Sequence, residues 1–66
     1  MVKFGQILQQ LRERRRISRK ALSELCGLNP DAVRRYERGE AEPSLHSLVS
    51  IADFFEVSVD YLIGRE

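Results

Sequence analysis

The sequence has few of the side chains on which catalysis, metal binding and disulfide cross-linking depend. It contains one cysteine, one histidine and no tryptophan. A single cysteine, Cys26, cannot form an internal disulfide, and Cys26 with His46 does not make a metal site. Cys26 falls in an apolar helical pattern, which favours a small core residue over a reactive thiol. His46 stands alone, without a nucleophile–base pair or a glycine-rich phosphate loop elsewhere, so we expect no enzyme activity, no cofactor and no small-molecule substrate.

The sequence also lacks long apolar runs. No segment approaches the roughly 20 apolar residues that span a membrane, and the first residues become charged and polar too soon for a signal peptide. With a lone cysteine, these shortages predict a reducing, cytoplasmic setting without a membrane partner. A chain of 66 residues fits one domain, over 1–66. Because disulfides and metals are excluded, its small core must come from well-packed helices or from an oligomer.

Charged residues are abundant, and the two signs are segregated along the chain. Residues 1–39 hold ten Lys and Arg against four acids, a net charge of +6. Residues 40–66 hold one arginine against six acids, a net charge of −5, and the two parts add up to the whole-chain value of +1. The first part suits phosphate and the second repels it. Intrinsic disorder can also segregate charge, but the apolar periodicity is too regular for a disordered chain.

Apolar residues at helical spacing predict an all-α protein of five helices without strands. Serines that precede three of the apolar stripes are typical helix N-caps. Glycines follow three of the stripes, where left-handed residues commonly close helices. The predicted helices cover about 3–16, 18–27 with Ser18 as the cap, about 30–38, a segment after the cap Ser44 with Leu48, Ile51, Ala52 and Phe55 inward, and a last segment from the cap Ser58 to about Ile63.

The segment 18–39 predicts two short helices around a tight turn. Gly27 ends the first of them. Asn29 is a good N-cap for the second, and Pro30 fits its first position, where a missing N–H costs nothing. At about 100° per residue, the second helix places its charged residues opposite its apolar face. These outward residues are Asp31, Arg34, Arg35 and Arg38.

Three arginines on one short exposed face suit double-stranded DNA. An arginine can bond two acceptors of guanine in the major groove, or it can grip a phosphate. The alternative is an ordinary solvated face, in which Asp31 and Arg35 pair at i,i+4 and contribute roughly 0.2–0.5 kcal/mol. The charges alone do not separate these interpretations, and the turn in front of the helix favours DNA.

Arg12 and Glu37 are candidates for an internal ion pair. Arg12 lies near the edge of the apolar stripe of the first helix, and Glu37 lies on the inward face of the third helix. A half-buried pair would lock the two helices together. Removal of Glu37 should then cost about 3–5 kcal/mol, because it would leave a charge unpaired.

An ordered set of residues across nearly the whole chain is shared with one family. The set comprises Phe4-Gly5, Leu8, Leu11-Arg12, Ile17-Ser18, Leu22, Gly27-Leu28, Val33, Tyr36-Glu37-Arg38-Gly39, Pro43-Ser44, Leu48, Ile51-Ala52, Phe55, Val57-Ser58 and Tyr61-Leu62. No single position is specific, but the ordered set resembles the Cro/repressor-type helix-turn-helix domains of the Xre family. The resemblance implies a five-helix, lambda-repressor-like domain whose second and third helices form the helix-turn-helix and whose third helix enters the major groove. It also implies the Arg12–Glu37 pair.

The resemblance assigns roles in DNA binding as well. Arg19 matches a position that contacts backbone phosphate and sometimes a base, and Arg38 matches a position near phosphate at the end of the third helix. Pro30, Asp31 and Arg35 match positions that face base edges. The predicted DNA-binding residues are therefore Arg19, Lys20, Asn29, Pro30, Asp31, Arg34, Arg35 and Arg38.

Some residues depart from the family pattern. Pro30 has no side-chain donor and offers at most an apolar contact, for example to a thymine methyl. Asp31 can accept from cytosine N4, or it can cap the helix and orient Arg35, and its place in the first turn favours the second role. Ser23 fits where the family has a small residue, often alanine. Glu56 stands where glycine is frequent after the fourth helix, so Glu56→Gly should stabilise the fold if this residue is left-handed.

These features predict a transcriptional regulator, a repressor, that binds a two-fold symmetric operator as a homodimer. One domain of this size buries too little surface for useful specificity on its own. Phe54, Tyr61 and Ile63 either form the dimer contact or cover the small core. The alternative function is a protein-interaction module, antitoxin-like or antirepressor-type, for which DNA binding is secondary. Binding to RNA or single strands is a weaker third option, because exposed aromatics are missing from the basic region.

Overall fold

The structure, a computed structural model, describes residues 3–66, and residues 1 and 2 of the predicted domain lie outside the described residues. Residues 3–66 form five α-helices and no β-strand, which confirms the predicted fold class. The helices are α1 (Phe4–Arg14), α2 (Arg19–Leu25), α3 (Ala32–Glu37), α4 (Leu45–Phe55) and α5 (Val59–Leu62). Helix α3 packs against both α1 and α2, while α5 packs against α1 and α4.

Serine hydroxyls begin three of the helices. The Oγ atoms of Ser18, Ser44 and Ser58 each accept a hydrogen bond from the backbone N–H three residues later, at 3.0, 3.1 and 2.9 Å. Such a cap gives a partner to an N–H that has none within the helix and contributes about 1 kcal/mol. The predicted caps of α2, α4 and α5 are confirmed.

The five helices of residues 3–66 end with the same pair of backbone hydrogen bonds. A left-handed residue donates its N–H to the carbonyl three residues back, and the next N–H bonds the carbonyl five residues back. Glycine occupies the left-handed position after α2, α3 and α5. Arg16 occupies it after α1 with φ 54°, and Glu56 occupies it after α4 with φ 57°. Glu56 is therefore left-handed, and Arg16, which was expected inside the first helix, lies beyond its end.

The early end of α1 coincides with contacts between Arg12 and Ile17. Helix α1 stops at Arg14, two residues before the predicted end. Arg12 Nη1 donates to the carbonyl of Ile17 at 3.0 Å, and the N–H of Ile17 donates back to the carbonyl of Arg12 at 3.3 Å. The Ile17 side chain also packs against the core. These contacts turn the chain back over the end of α1 and stop the helix.

All five helices contribute to one hydrophobic core. Cys26, at the end of α2, is buried as predicted, and burial raises the pKa of its thiol. The apolar stripe predicted for α4 faces the core completely. The buried apolar side chains are Phe4, Leu8, Leu22, Cys26, Val33, Leu48, Ile51, Ala52, Phe55 and Leu62.

Helices α1 and α3 approach each other closely at Gly5. A Cβ atom on Gly5 would lie 2.7 Å from the carbonyl oxygen of Tyr36 and 3.3 Å from the Cα of Glu37. Any side chain at this position would therefore push the two helices apart. The Tyr36 ring also packs edge-on against Phe4, with the ring centroids 5.6 Å apart. Helix α1 thus fixes α3 from behind.

Candidate nucleic-acid interface

The first turn of α3 is attached to α2 by one buried hydroxyl. Ser23 is fully buried, and its Oγ accepts the N–H of Val33 at 3.0 Å and donates to the carbonyl of Arg19 at 2.9 Å. This hydroxyl joins the two helices of the helix-turn-helix motif. From the sequence alone, Ser23 was expected only to fit the available space. The available signal was a hydrogen-bonding side chain where the resembled family often has alanine.

Helix α3 begins at Ala32, so the prediction that Pro30 occupies its first position is wrong. The carbonyl of Asn29 accepts the N–H of Ala32 at 2.9 Å, and its Oδ1 accepts the N–H of Asp31 at 2.9 Å. If the helix began at Pro30, the N–H of Val33 would have to donate to the carbonyl of Asn29. That N–H donates instead to the hydroxyl of Ser23 on α2. The predicted cap residue therefore closes a turn that precedes the helix.

Behind α3, Arg12 and Glu37 lie in contact. Arg12 Nε donates to Glu37 Oε2 at 2.7 Å, and Arg12 Nη2 donates to Glu37 Oε1 at 3.2 Å. The two side chains are 15% and 6% exposed, so this two-bond contact is largely shielded from water. Two-bond geometry and shielding make it far stronger than a surface pair. It attaches the last turn of α3 to α1.

On the outer face of α3, Asp31 binds Arg34. Arg34 Nε donates to Asp31 Oδ1 at 2.6 Å and Arg34 Nη2 donates to Asp31 Oδ2 at 2.7 Å. The hydrogen bond from Arg34 holds the pKa of Asp31 below its usual range, and the charges of Arg35 and Arg19 act in the same direction. Arg35 makes no ion pair within residues 3–66.

The preferred interpretation of Asp31 is therefore wrong on both counts. Its carboxylate makes no capping hydrogen bond to the helix, and its partner is Arg34 rather than Arg35. Arg34 at i+3 and Arg35 at i+4 are both helical neighbours of Asp31, and spacing alone did not distinguish between them.

A second acid lies beside the arginine face and was absent from the predicted site. Arg38 Nε donates to Glu40 Oε2 at 2.8 Å, and Arg34 Nη1 lies 4.0 Å from Glu40 Oε1. Glu40 follows the left-handed Gly39, where the chain reverses. A helical wheel ends at that reversal and cannot place Glu40, although an acid just beyond a helix with several arginines was a usable signal.

Two shallow grooves on either side of Asp31 contain most of the predicted DNA-binding residues. The first lies between the start of α2 and the turn before α3, and it is lined by Ser18, Arg19, Lys20, Pro30, Asp31 and Arg34. The second lies between α3 and the α3–α4 connection, and its lining includes Asn29, Asp31 and Arg35. The predicted residues thus share one side of the domain, with Arg38 paired at the far end of α3.

The residues predicted for a dimer contact are half-buried. Phe54 and Ile63 pack against the core, and Tyr61 is partly covered. The guanidinium of Arg15 lies over the Phe54 ring, 5.5 Å from its centroid, and ties the end of α1 to the end of α4. The most exposed large apolar side chains of residues 3–66 lie elsewhere, at Leu25, Leu45 and Val49. A dimer contact through the predicted residues stays a prediction.

Other chemistry is sparse in the described part of the chain. Within residues 3–66, no group of three or more His, Cys, Asp or Glu side chains is placed to hold a metal ion. None of the helices there has the length and apolar character needed to cross a membrane. The arginine face of α3 and its surroundings are therefore the site with the most distinctive chemistry.

Comparison with known families identifies this arrangement. The HTH_3 family model, described as helix-turn-helix, matches residues 8–62. The chain belongs to this helix-turn-helix family. The resemblance to the Xre-type domains is thereby confirmed, and the helix-turn-helix motif comprises α2, α3 and the turn between them. The relatives of this helix-turn-helix domain are regulators of transcription rather than enzymes.

Three relatives illustrate the range of sequence identity and coverage. The HTH-type transcriptional activator BcrR of Enterococcus faecalis is 32% identical over 98% of this chain and 32% of its own length. The HTH-type transcriptional regulator AnsR of Bacillus subtilis is 36% identical over 89% of this chain and 51% of its own length. The cryptic phage CTXphi transcriptional repressor RstR of Vibrio cholerae is 34% identical over 89% of this chain and 55% of its own length. The chain thus spans between a third and a little over half of these relatives.

A solved structure extends the similarity to three dimensions. The crystal structure of the P22 c2 repressor protein in complex with a synthetic operator superposes with a TM-score of 0.87. The two chains are 27% identical, and the match covers 96% of each. The predicted lambda-repressor-like architecture is therefore confirmed.

Proposed function

We propose that this helix-turn-helix domain binds operator DNA in a sequence-specific manner and acts as a repressor of transcription. The segment 30–38, which contains α3 and part of the turn before it, enters the major groove. The observation that carries the proposal is the exposed arginine face of α3, whose opposite face is fixed by α1 and α2. A rigid helix with outward guanidinium groups can bond base edges in a fixed register. The P22 c2 repressor, solved on a synthetic operator, has the same fold.

The arginines of this site divide into two roles. Arg35 has no carboxylate partner within residues 3–66 and lies in the middle of the α3 face, so it reads a base, most simply guanine through O6 and N7. Arg19 lies exposed at the start of α2, at the edge of the same side, and it grips a backbone phosphate with Lys20 beside it. Phosphate contacts fix the position of the protein on the duplex, and base contacts determine which DNA sequence it prefers.

The active species on DNA is a homodimer in the cytoplasm, bound to a two-fold symmetric operator. A single domain of this size reads only a few base pairs, and two domains about one helical turn apart, roughly 34 Å, double the number. Phe54, Tyr61 and Ile63 form the contact between copies. Phe54 lies on α4, Tyr61 on α5 and Ile63 directly after α5, all outside the helix-turn-helix motif, so a contact there leaves both recognition helices open to DNA.

The first experiment is selection of binding sites from a random duplex library by the purified chain at near-physiological salt. We expect enrichment of a two-fold symmetric sequence. Two variants then separate the roles. Arg35→Ala should weaken binding about 5- to 150-fold and relax preference at one base position, whereas Arg19→Ala should weaken all sequences alike. Affinity should also fall steeply with salt, with a slope near −0.9 per phosphate contact.

Two results would count against this function. If no duplex is enriched, the alternative of a protein-interaction module is favoured, and the exposed Leu25, Leu45 and Val49 are then the surface to examine. If Arg35→Ala and Arg19→Ala both weaken all sequences equally, the assignment of Arg35 to base reading is wrong. Repression, as opposed to activation, is tested with a reporter gene placed behind the selected site.

A further inference from the structure

We propose that Asp31 and Arg34 act as one unit that reads a guanine, with Arg34 as the contacting residue and Asp31 as the residue that positions it. The inference rests on the proposed DNA binding. Arg34 then contacts a base in addition to Arg35, and Asp31, an acidic residue among arginines, has the role of orienting Arg34.

The geometry of the pair leaves one edge of the guanidinium free. Asp31 engages Arg34 from the side, through Nε at 2.6 Å and Nη2 at 2.7 Å. A guanidinium carries five N–H bonds, one on Nε and two on each Nη atom. The side contact uses two of them, so one N–H on Nη1 and one on Nη2 remain as a parallel pair at the end of the side chain. The other nearby acid, Glu40, is 4.0 Å from Nη1, which is too far for a hydrogen bond to that atom.

The free end of Arg34 matches guanine. O6 and N7 of guanine accept two parallel N–H bonds in the major groove, and no other base presents two acceptors there. Arg34 lines the same groove as Arg19 and Lys20, so a phosphate contact by those two residues holds Arg34 close to the duplex. A bidentate carboxylate fixes the plane of the guanidinium before DNA arrives, and less conformational freedom is lost on binding.

The two other arginines of the α3 face, Arg35 and Arg38, are not oriented by Asp31. Arg35 is exposed and has no ion pair within residues 3–66, so its side chain is free to move. Arg38 is held by Glu40 beyond the end of the helix. Asp31 is ionised at neutral pH, as an ordinary aspartate is, and the hydrogen bond from Arg34 lowers its pKa further. An unpaired Asp31 carboxylate would repel the DNA phosphates. Asp31 therefore favours DNA binding only while it is paired with Arg34.

The test compares three variants with the wild-type chain in the same site selection. Asp31→Asn keeps the size of the side chain and removes the ionic partner. It should lower the preference for guanine at one position, by up to about fivefold, while overall affinity is unchanged or higher. Arg34→Ala should lower the preference at that same position by at least about fivefold. The salt slope of Asp31→Asn should steepen by about 0.9, because the released arginine can turn to a phosphate.

Glu40→Gln is the matched control. It neutralises the other acid beside the arginine face and releases Arg38. It should raise affinity for all duplexes alike and leave every base preference unchanged. Circular dichroism spectra establish that each variant is folded, as expected for side chains outside the core that are 36–50% exposed.

Each remaining outcome decides against the inference. If wild type enriches a site and Asp31→Asn keeps full preference at the position that depends on Arg34, Asp31 has no positioning role. If Arg34→Ala weakens all sequences alike, Arg34 is a phosphate contact. In both cases the proposed function stands and only the reading unit fails. If wild type enriches no duplex at all, the proposed function fails and the unit fails with it.

Discussion

Replacement of Glu56 by glycine should stabilise the domain. Glu56 follows α4 with φ 57° and ψ 43°, and its side chain is exposed and has no ion pair within residues 3–66. Its backbone closes the helix through hydrogen bonds to the carbonyls of Asp53 at 3.2 Å and, from the next residue, of Ala52 at 3.0 Å. The ends of α2, α3 and α5 make the same closure with glycine.

Three effects set the magnitude. The left-handed backbone costs a residue with a Cβ atom about 1–2 kcal/mol. A carboxylate at the C-terminus of a helix costs a further ~0.3–1 kcal/mol, because it faces the negative end of the helix dipole. Glycine gives the unfolded chain more freedom, which offsets about 0.4–1 kcal/mol of the gain. The net gain in the free energy of unfolding is about 1 kcal/mol. At roughly 2.1 cal/mol/K of unfolding entropy per residue, a 66-residue chain should melt about 7 °C higher.

The assay is thermal and urea unfolding followed by circular dichroism. Glu56→Gln is the control, because it removes the charge and keeps the Cβ atom. It should raise the melting temperature by less than Glu56→Gly does, through the dipole effect alone. A fall in melting temperature on Glu56→Gly, or an equal rise in both variants, would refute the argument from backbone strain. DNA affinity should stay unchanged, because this position lies at the end of α4 and away from the arginine face.

Three more predictions concern buried groups. Glu37→Ala should lower the free energy of unfolding in urea by about 3–5 kcal/mol, because it leaves the 15%-exposed Arg12 without its partner. An Arg12→Met/Glu37→Leu double variant should recover most of that loss. Wild-type stability in the single variant would contradict the role of the pair. Ser23→Ala should cost about 1–3 kcal/mol and speed hydrogen exchange of the Val33 amide, and unchanged exchange would show that Ser23 does not hold α3. Cys26 should react slowly with a thiol reagent in the folded chain and quickly in urea. Because burial raises the pKa of this thiol, its contribution to stability is present below the ordinary thiol pKa and is lost as pH rises through the raised value. Rapid reaction of the folded chain at neutral pH would contradict this.

Local signals in the sequence predicted the helices well. A serine before an apolar stripe caps the helix with its own hydroxyl, and no distant residue is needed for that bond. The inward face of α3 followed from residue spacing, and Arg12 and Glu37 lie in contact as that spacing suggested. These features depend on contacts within one helix or on the regular geometry of two.

The details that were missed depend on distant residues or on irregular backbone. The start of α3 was misplaced because Ser23, in another helix, takes the N–H that an earlier first turn needs. The end of α1 was misplaced because the chain turns back at Arg16, and arginine gives no signal for a left-handed backbone. The partner of Asp31 was misassigned because arginines stand at both i+3 and i+4, and helical spacing allows a pair with either of them. Glu40 was missed because Gly39 reverses the chain between the acid and α3.

The close contact between Gly5 and α3 has a consequence for protein engineering. At Gly5 one side of α3 lies so close to the α1 backbone that no side chain fits there, and the other side faces solvent. Residues on the first side are constrained by the rest of the molecule, whereas Arg34 and Arg35 can be exchanged with little effect on the scaffold. Libraries that randomise only those outward positions should yield folded domains with new target sequences, and a randomised Gly5 should yield almost none.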